Sequence, residues 1–272
     1  MMLNLNIEVP KPSRYVSHDT VDEIALEANR AYREKVGNKV GFPVDMERFI
    51  DLLELAILRE DIEEPEGASF FANFCPDDGG LITVNNKHNA LFESRPDVYC
   101  ACLAHEGGHC ILRHCEKLIA TENAPMLFEE LSTPRQLFHK SSWYQYGLSR
   151  EEVQKQKEFN RQLNEKLVKA ALISETARQT LEQIHDRFEP EWMFRQAEHF
   201  SLCLRIPRDH LLDQLEEGWN FNSWAPIYKL AERFGVSGSM MRVRLEKLDV
   251  IEIGADGKPR PKYSAFQGGL FH

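Results

Sequence analysis

Apolar side chains recur at helical spacing soon after the start of the chain. Val21, Ile24, Ala25, Ala28 and Ala31 share one face, with Asp22 and Glu23 near the positive end of the backbone dipole, which predicts a helix over residues 20–36. Gly37 and Gly41 break it. Pro43 opens a second helix through Phe49, Ile50, Leu52 and Leu53, with Asp45 as its cap. The period then shortens to two. Residues 56–59 read as a short strand, residues 69–74 (SFFANF) as a strand rich in aromatic residues, and residues 81–85 (LITVN) as its antiparallel partner across the turn at 76–80. A hairpin or three-stranded sheet thus precedes an apolar run, ACLAHEGGHCILRHC at 101–115, which fits a helix starting near Pro96 with Asp97 in its first turn. Ahead of all this, residues 1–17 carry Pro10 and Pro12 and read as extended or disordered chain.

After Cys115 the pattern weakens, and Pro125 and Pro134 interrupt it. Residues 149–188 turn helical and charged, with only a narrow apolar stripe of Val153, Phe159, Leu163, Leu167 and Ala170. Such a stripe predicts a largely solvated helical hairpin, the alternative being a lid or partner-binding arm. Pro190 then stands at the first turn of another helix, EWMFRQAEHFSLCLR, which ends before Pro207.

Composition narrows the class. With 272 residues, 42% of them hydrophobic, and no apolar run near the 18 or so that would span a bilayer, the chain is expected to be soluble, in one large domain or two modest ones. The N-terminus has neither a basic stretch nor a continuous apolar core of the secretory kind, which points to the cytoplasm. Six cysteines (75, 100, 102, 110, 115 and 203) fit small buried thiols better than disulfides or a zinc ribbon. The net charge of −10 opposes general attraction to nucleic acid.

The run at 101–115 holds the chemistry. His105, Glu106 and His109 form H-E-x-x-H, and histidines at i and i+4 project from one helix face, so both imidazoles can converge on one cation. Glu106 is turned partly off that axis, where it can take a proton from a zinc-bound water attacking a peptide carbonyl. Gly107 and Gly108 cost helix propensity but let another backbone or a substrate come close. A zinc site of this kind needs a third ligand from elsewhere. The helix after Pro190 offers Glu191 and Glu198, seven residues apart and nearly on one face, with His199 as a competing nitrogen donor. His114 lies off the ligand face and reads as an ordinary, partly exposed histidine, the alternative being a group that steadies substrate or oxyanion. Tyr99 and Tyr144 are similar candidates.

Taken in series, FPVDMERFIDLLELAIL, LITVNNKHN, LAHEGGHCILRH, QAEHFSLCLRIPRDHL and LAERFGVSGSMMRVRLEKLDVI resemble the ImmA/IrrE family of metallo-endopeptidases, the DUF955 domain type. The likeness covers most of the chain outside residues 116–188. It implies an α+β, mainly helical fold: a minimal zincin-like core with a small antiparallel sheet, a helical insertion and a C-terminal helix-turn-helix-like segment. The corresponding divisions are 1–120 and 189–210 for the catalytic domain, 121–188 for the insertion and 211–272 for the C-terminal segment. It further implies Zn2+ as cofactor, His105 and His109 as ligands, Glu106 as base, and a protein substrate, in known cases a transcriptional repressor of the helix-turn-helix type. The family's third ligand is a glutamate three residues before the alanine of its A-N/E-x-F motif, and here Phe194 stands at that position. Glu198, four residues on, is the preferred replacement, and Glu191, one turn earlier, the second. The departure leaves a rival reading, a non-catalytic relative that acts as a regulator or antitoxin-like binding protein.

Residues 231–251 also resemble a helix-turn-helix, with Arg242, Arg244 and Lys247 available for phosphates. Residues 211–272 nevertheless hold eight Lys/Arg against eight Asp/Glu, so a structural or target-docking role is expected rather than DNA binding.

Overall fold

Where Ser17 precedes His18, its side-chain oxygen accepts from the Thr20 amide and starts α1 (His18–Val36). Asp45 does the same for α2 (Met46–Leu52), accepting from the Arg48 amide. The computed structural model describes residues 3–12, 16–37, 41–62, 64, 70–75, 80–114, 137–140, 191–215 and 219–262. The described part of the N-terminal stretch is extended, the first of the two expected forms, and it is anchored. Leu3 is buried and its amide donates to the Leu52 carbonyl at 2.8 Å, so apolar burial holds an extended segment that the prolines keep out of a helix.

The strands β1 (Ala56–Glu60), β2 (Phe70–Cys75) and β3 (Leu81–Asn85) form where period-two patterning places them. β2 and β3 pair antiparallel, as expected, but β1 lies parallel to β3 on its other side, so the sheet is mixed. A fourth strand, β4 (Leu137–Lys140), pairs antiparallel with β2 and gives the order β1-β3-β2-β4. It comes from the stretch assigned to a helical insertion, and so it corrects that assignment at those four residues. The charged helical pattern at 149–188 and Tyr144 lie outside the described residues.

After a 3-10 turn at Asn86–His88 come α3 (Asn89–Ser94) and α4 (Pro96–Ile111). α5 (Glu191–Arg205) and α6 (Arg208–Leu215) follow, then α7 (Trp224–Phe234) and α8 (Gly238–Lys247), and finally the hairpin β5 (Ile251–Ile253) and β6 (Pro259–Pro261). α4 has the sheet, α2 and α3 as neighbours and packs along α5, and α5 packs in turn against α1. α5 is therefore the central helix, with α4 against one face and α1 and α8 against others. The fold is mixed α and β and mostly helical. Among the described residues no helix is long and apolar enough to cross a membrane.

Candidate metal centre

Pro96 at the first turn and the two-pronged grip of Arg95 on Asp97, at 2.9 and 2.8 Å, start α4. From Ala101 to His109 every residue of the helix is buried. Such burial needs close neighbours, and the paired glycines admit them. A Cβ on Gly107 would stand 3.0 Å from Ile50 Cδ1 of α2, and one on Gly108 would stand 2.9 Å from Phe200 Cδ1 of α5. The helix propensity that the glycines cost is thus offset by two tight contacts, one on each side, made by neighbouring helices of the same chain.

The expected convergence of the histidines is present. His105 Nε2 and His109 Nε2 lie 3.1 Å apart, with both rings and Glu106 at most 1% exposed. Two donors about 2.0–2.1 Å from a tetrahedral zinc ion stand about 3.3 Å apart, so the observed spacing fits a chelating pair to within a few tenths of an ångström. Zinc accordingly fits the imidazole part of the site.

The end of α4 supplies a group that sequence reasoning misjudged. Leu112 is the cap, Arg113 takes the left-handed conformation at φ 57°, and His114 donates its amide back to the His109 carbonyl at 3.1 Å while Arg113 donates to Cys110 at 3.1 Å. These are the two bonds of a Schellman turn, with Arg113 where glycine is usual. The turn folds His114 under the helix, so the expectation of partial exposure fails: His114 is fully buried, its Nδ1 lies 2.8 Å from His109 Nδ1, and its Nε2 lies 3.1 Å from Gln196 Oε1. Gln196 Nε2 donates to the Val16 carbonyl at 3.3 Å. Neither Gln196 nor this use of His114 was read from the sequence. The signal lay in the third histidine, five residues beyond His109, which only a helix-ending turn brings round.

From α5, the side chain that meets His105 is Phe194, its ring centroid 5.2 Å from the imidazole. A phenyl ring thus stands against His105 at the position where the resemblance leads one to expect a carboxylate. Ser201, two turns on, donates to the Ala101 carbonyl from the same side. Glu198 lies on the side of α5 that faces α8, lining a cavity of about 220 Å³ with His18, Arg195, His199 and Lys247. Its placement differs from that expected of a third ligand because four residues of helix advance the side chain about 40° past Phe194. The side chain of Glu191 lies outside the described residues. His199 serves elsewhere: its Nε2 donates to the His18 carbonyl at 3.1 Å and its Nδ1 accepts from Lys247 Nζ at 2.8 Å. Burial first, then the Lys247 charge, pushes its pKa down to about 3.

His199, Asp22 and Cys203 form a second buried group whose donor atoms all lie within 4.8 Å of one another and could hold a metal ion. Its charge is already matched. Arg244 grips both Asp22 oxygens at 2.8 Å, donates to Cys203 Sγ at 3.1 Å and reaches the Ile206 carbonyl at 3.0 Å. Burial pushes the Cys203 thiol up to about 12, so it stays protonated, and a protonated thiol is a poor ligand. With Lys247 on His199, two protein cations take the place that an ion would fill.

The same contacts remove the cations expected for phosphates. Arg244 is 1% exposed, Lys247 is bonded to His199, and Arg242 faces Glu246 at 3.5 Å. α8 uses Arg244 and Lys247 to join α1 and α5.

Tyr99 donates to Glu47 at 2.8 Å, away from the imidazoles. All the described cysteines are free thiols, as expected.

Comparison with known proteins adds the family. No curated protein matches the chain. A family model matches a span that begins after α4 and its imidazole pair, takes in α5, α6 and α7, and stops within α8 at Glu246. It points to a metallopeptidase-type or related function. The span is residues 170–246, the model is that of the IrrE N-terminal-like domain of peptidase family M78, and the match is consistent with an ImmA/IrrE family protein.

Proposed function

We propose that the chain is a zinc-dependent endopeptidase that cleaves a regulatory protein, with His105 and His109 as ligands and Glu106 as general base. The observation that carries this reading is the pair of Nε2 atoms 3.1 Å apart on a buried helix, with a carboxylate on the very next residue. A zinc ion bound there would polarise a peptide carbonyl and bring the pKa of a bound water toward about 7. Glu106, one residue or about 100° round the helix from His105, would take that water's proton and pass it to the leaving amine. Absence of a charged group at Phe194 leaves the third coordination position to a donor other than the family's glutamate. A protein target, rather than DNA, is supported by the way α8 commits Arg244 and Lys247 to internal contacts.

Phe194 also favours a second reading, a relative that keeps the fold and binds its target without cutting it. One experiment separates the two. Cells producing the protein or its Glu106→Gln variant are compared by sequencing of protein N-termini. The peptidase predicts new N-termini in a regulatory protein that vanish in the variant, and the same set of N-termini from both would leave only the binding role.

A further inference from the structure

α5 has a phenyl ring at one position facing the imidazole pair, yet two residues on it contributes Gln196 to the back of the same pair. We propose that Gln196 and His114 are positioning residues that fix His109 as the Nδ1–H tautomer, leaving its Nε2 lone pair directed at His105 and at any ion the two share. The proposal deepens the metal-centre reading and rests on it for its purpose, though not for its geometry.

The argument runs from one end of a hydrogen-bonded chain to the other. A backbone carbonyl can only accept, so the Val16 oxygen orients the Gln196 amide with its nitrogen toward Val16, at 3.3 Å. That leaves Oε1 toward His114 Nε2, at 3.1 Å. Oε1 also only accepts, so the proton sits on His114 Nε2. With one proton per ring, His114 Nδ1 is then a bare acceptor, and His109 Nδ1, 2.8 Å away, must carry the hydrogen between them. His109 Nε2 is thereby bare, and it is this atom that lies 3.1 Å from His105 Nε2. With neutral rings, each of these links takes its direction from the one before, and the first is set by a carbonyl that can only accept.

This has a chemical consequence. A histidine binds a metal through a nitrogen that carries no proton, and the hydrogen bond at the other nitrogen decides which one that is. In solution the proton exchanges between the two, and a ligand held in one tautomer avoids that loss. Three separate pieces of chain cooperate: the Schellman turn delivers His114, α5 delivers Gln196, and the residue just before the cap of α1 delivers the carbonyl. α5 thus orients a ligand from a face where it does not offer one.

The test uses the full chain labelled with 15N-histidine and long-range proton–nitrogen spectra at neutral pH, with His109 assigned by loss of its signals in His109→Gln. The expected spectrum has His109 protonated at Nδ1 and bare at Nε2 before any metal is added. In Gln196→Leu the proton spreads over both nitrogens and zinc affinity falls by about 10–100-fold, the range for removal of a partner behind a ligating histidine. Gln196→Met, similar in length but without the amide, should lose the tautomer and the affinity to the same extent, which separates the lost hydrogen bonds from lost packing volume. His109 found as the Nε2–H tautomer or as imidazolium, or a tautomer unmoved in Gln196→Leu, overturns the proposal. Zinc that fails to bind while the Nδ1–H tautomer is present removes the metal-centre reading and leaves the relay standing.

Discussion

Two buried polar clusters flank α5, and they solve the problem of burial in opposite ways. Toward α1 and α8, Asp22, His199 and Cys203 are met by Arg244 and Lys247, so that acids, acceptors and cations answer one another at 2.8–3.1 Å. Toward α4, the hydrogen bonds of His114 and Gln196 run to the back of His109, and the front atoms of two imidazoles are brought together. Among the described residues, three potential metal donors lie within reach of one another in the first cluster and a pair of imidazole nitrogens faces each other in the second. The charges around them decide which is the better metal centre. A cation entering the first would meet a guanidinium and an ammonium, whereas one entering the second would meet two imidazoles already spaced to chelate it.

The contrast breaks most visibly at Arg244. Arg244→Met leaves Asp22 buried without its two-pronged partner and is expected to cost about 3–5 kcal/mol, read as a drop in the midpoint of chemical unfolding. Arg244→Lys should recover only part, since an ammonium cannot hold both Asp22 oxygens and reach the Ile206 carbonyl together. A loss below about 1 kcal/mol in the Met variant would mean that the cluster is not the closed unit described.

A smaller effect is expected with pH. His199 is faced by Lys247, His18, Arg244 and Asp22, and its folded pKa of about 3 lies below the value of about 6.5 expected in the unfolded chain. Between those values the unfolded chain takes up a proton that the folded one refuses. The stability from keeping His199 neutral is therefore complete above about pH 6.5 and is lost as the pH falls toward 3. Urea midpoints measured from pH 7 to pH 4 should decline, and His199→Gln, which keeps a polar partner for Lys247, should flatten the decline. His18, also depressed by burial, contributes in the same direction and leaves a residual slope. Equal slopes in the two proteins would remove His199 from the account.

Periodic patterning made most of the described fold legible. The helices at His18–Val36, Pro96–Ile111 and Glu191–Arg205 carry strong apolar stripes or proline and cap signals, and they start within two residues of where those signals put them, although the second ends four residues short of Cys115. The hairpin of β2 and β3 was legible for the same reason. Parallel pairing of β1 was not, since a five-residue strand says nothing about which edge it joins, and β4 sits in a stretch without alternation. The site divides similarly. Spacing alone gives His105 and His109, because both belong to one helix. His114 needed a left-handed residue at Arg113 to turn it inward, and Gln196 needed the packing of α5 on α4, neither of which leaves a mark in periodicity. Glu198 looked suitable because i+4 is nearly one turn. The remaining fraction of a turn separates a side chain aimed at His105 from one lining the cavity beside Lys247.

The most direct test is the zinc content of protein purified without chelator, compared among the unaltered chain, His109→Ala and Cys203→Ser. The account predicts close to one zinc per chain, lost in His109→Ala and retained in Cys203→Ser. Zinc retained in His109→Ala and lost in Cys203→Ser would place the ion in the other cluster and contradict it.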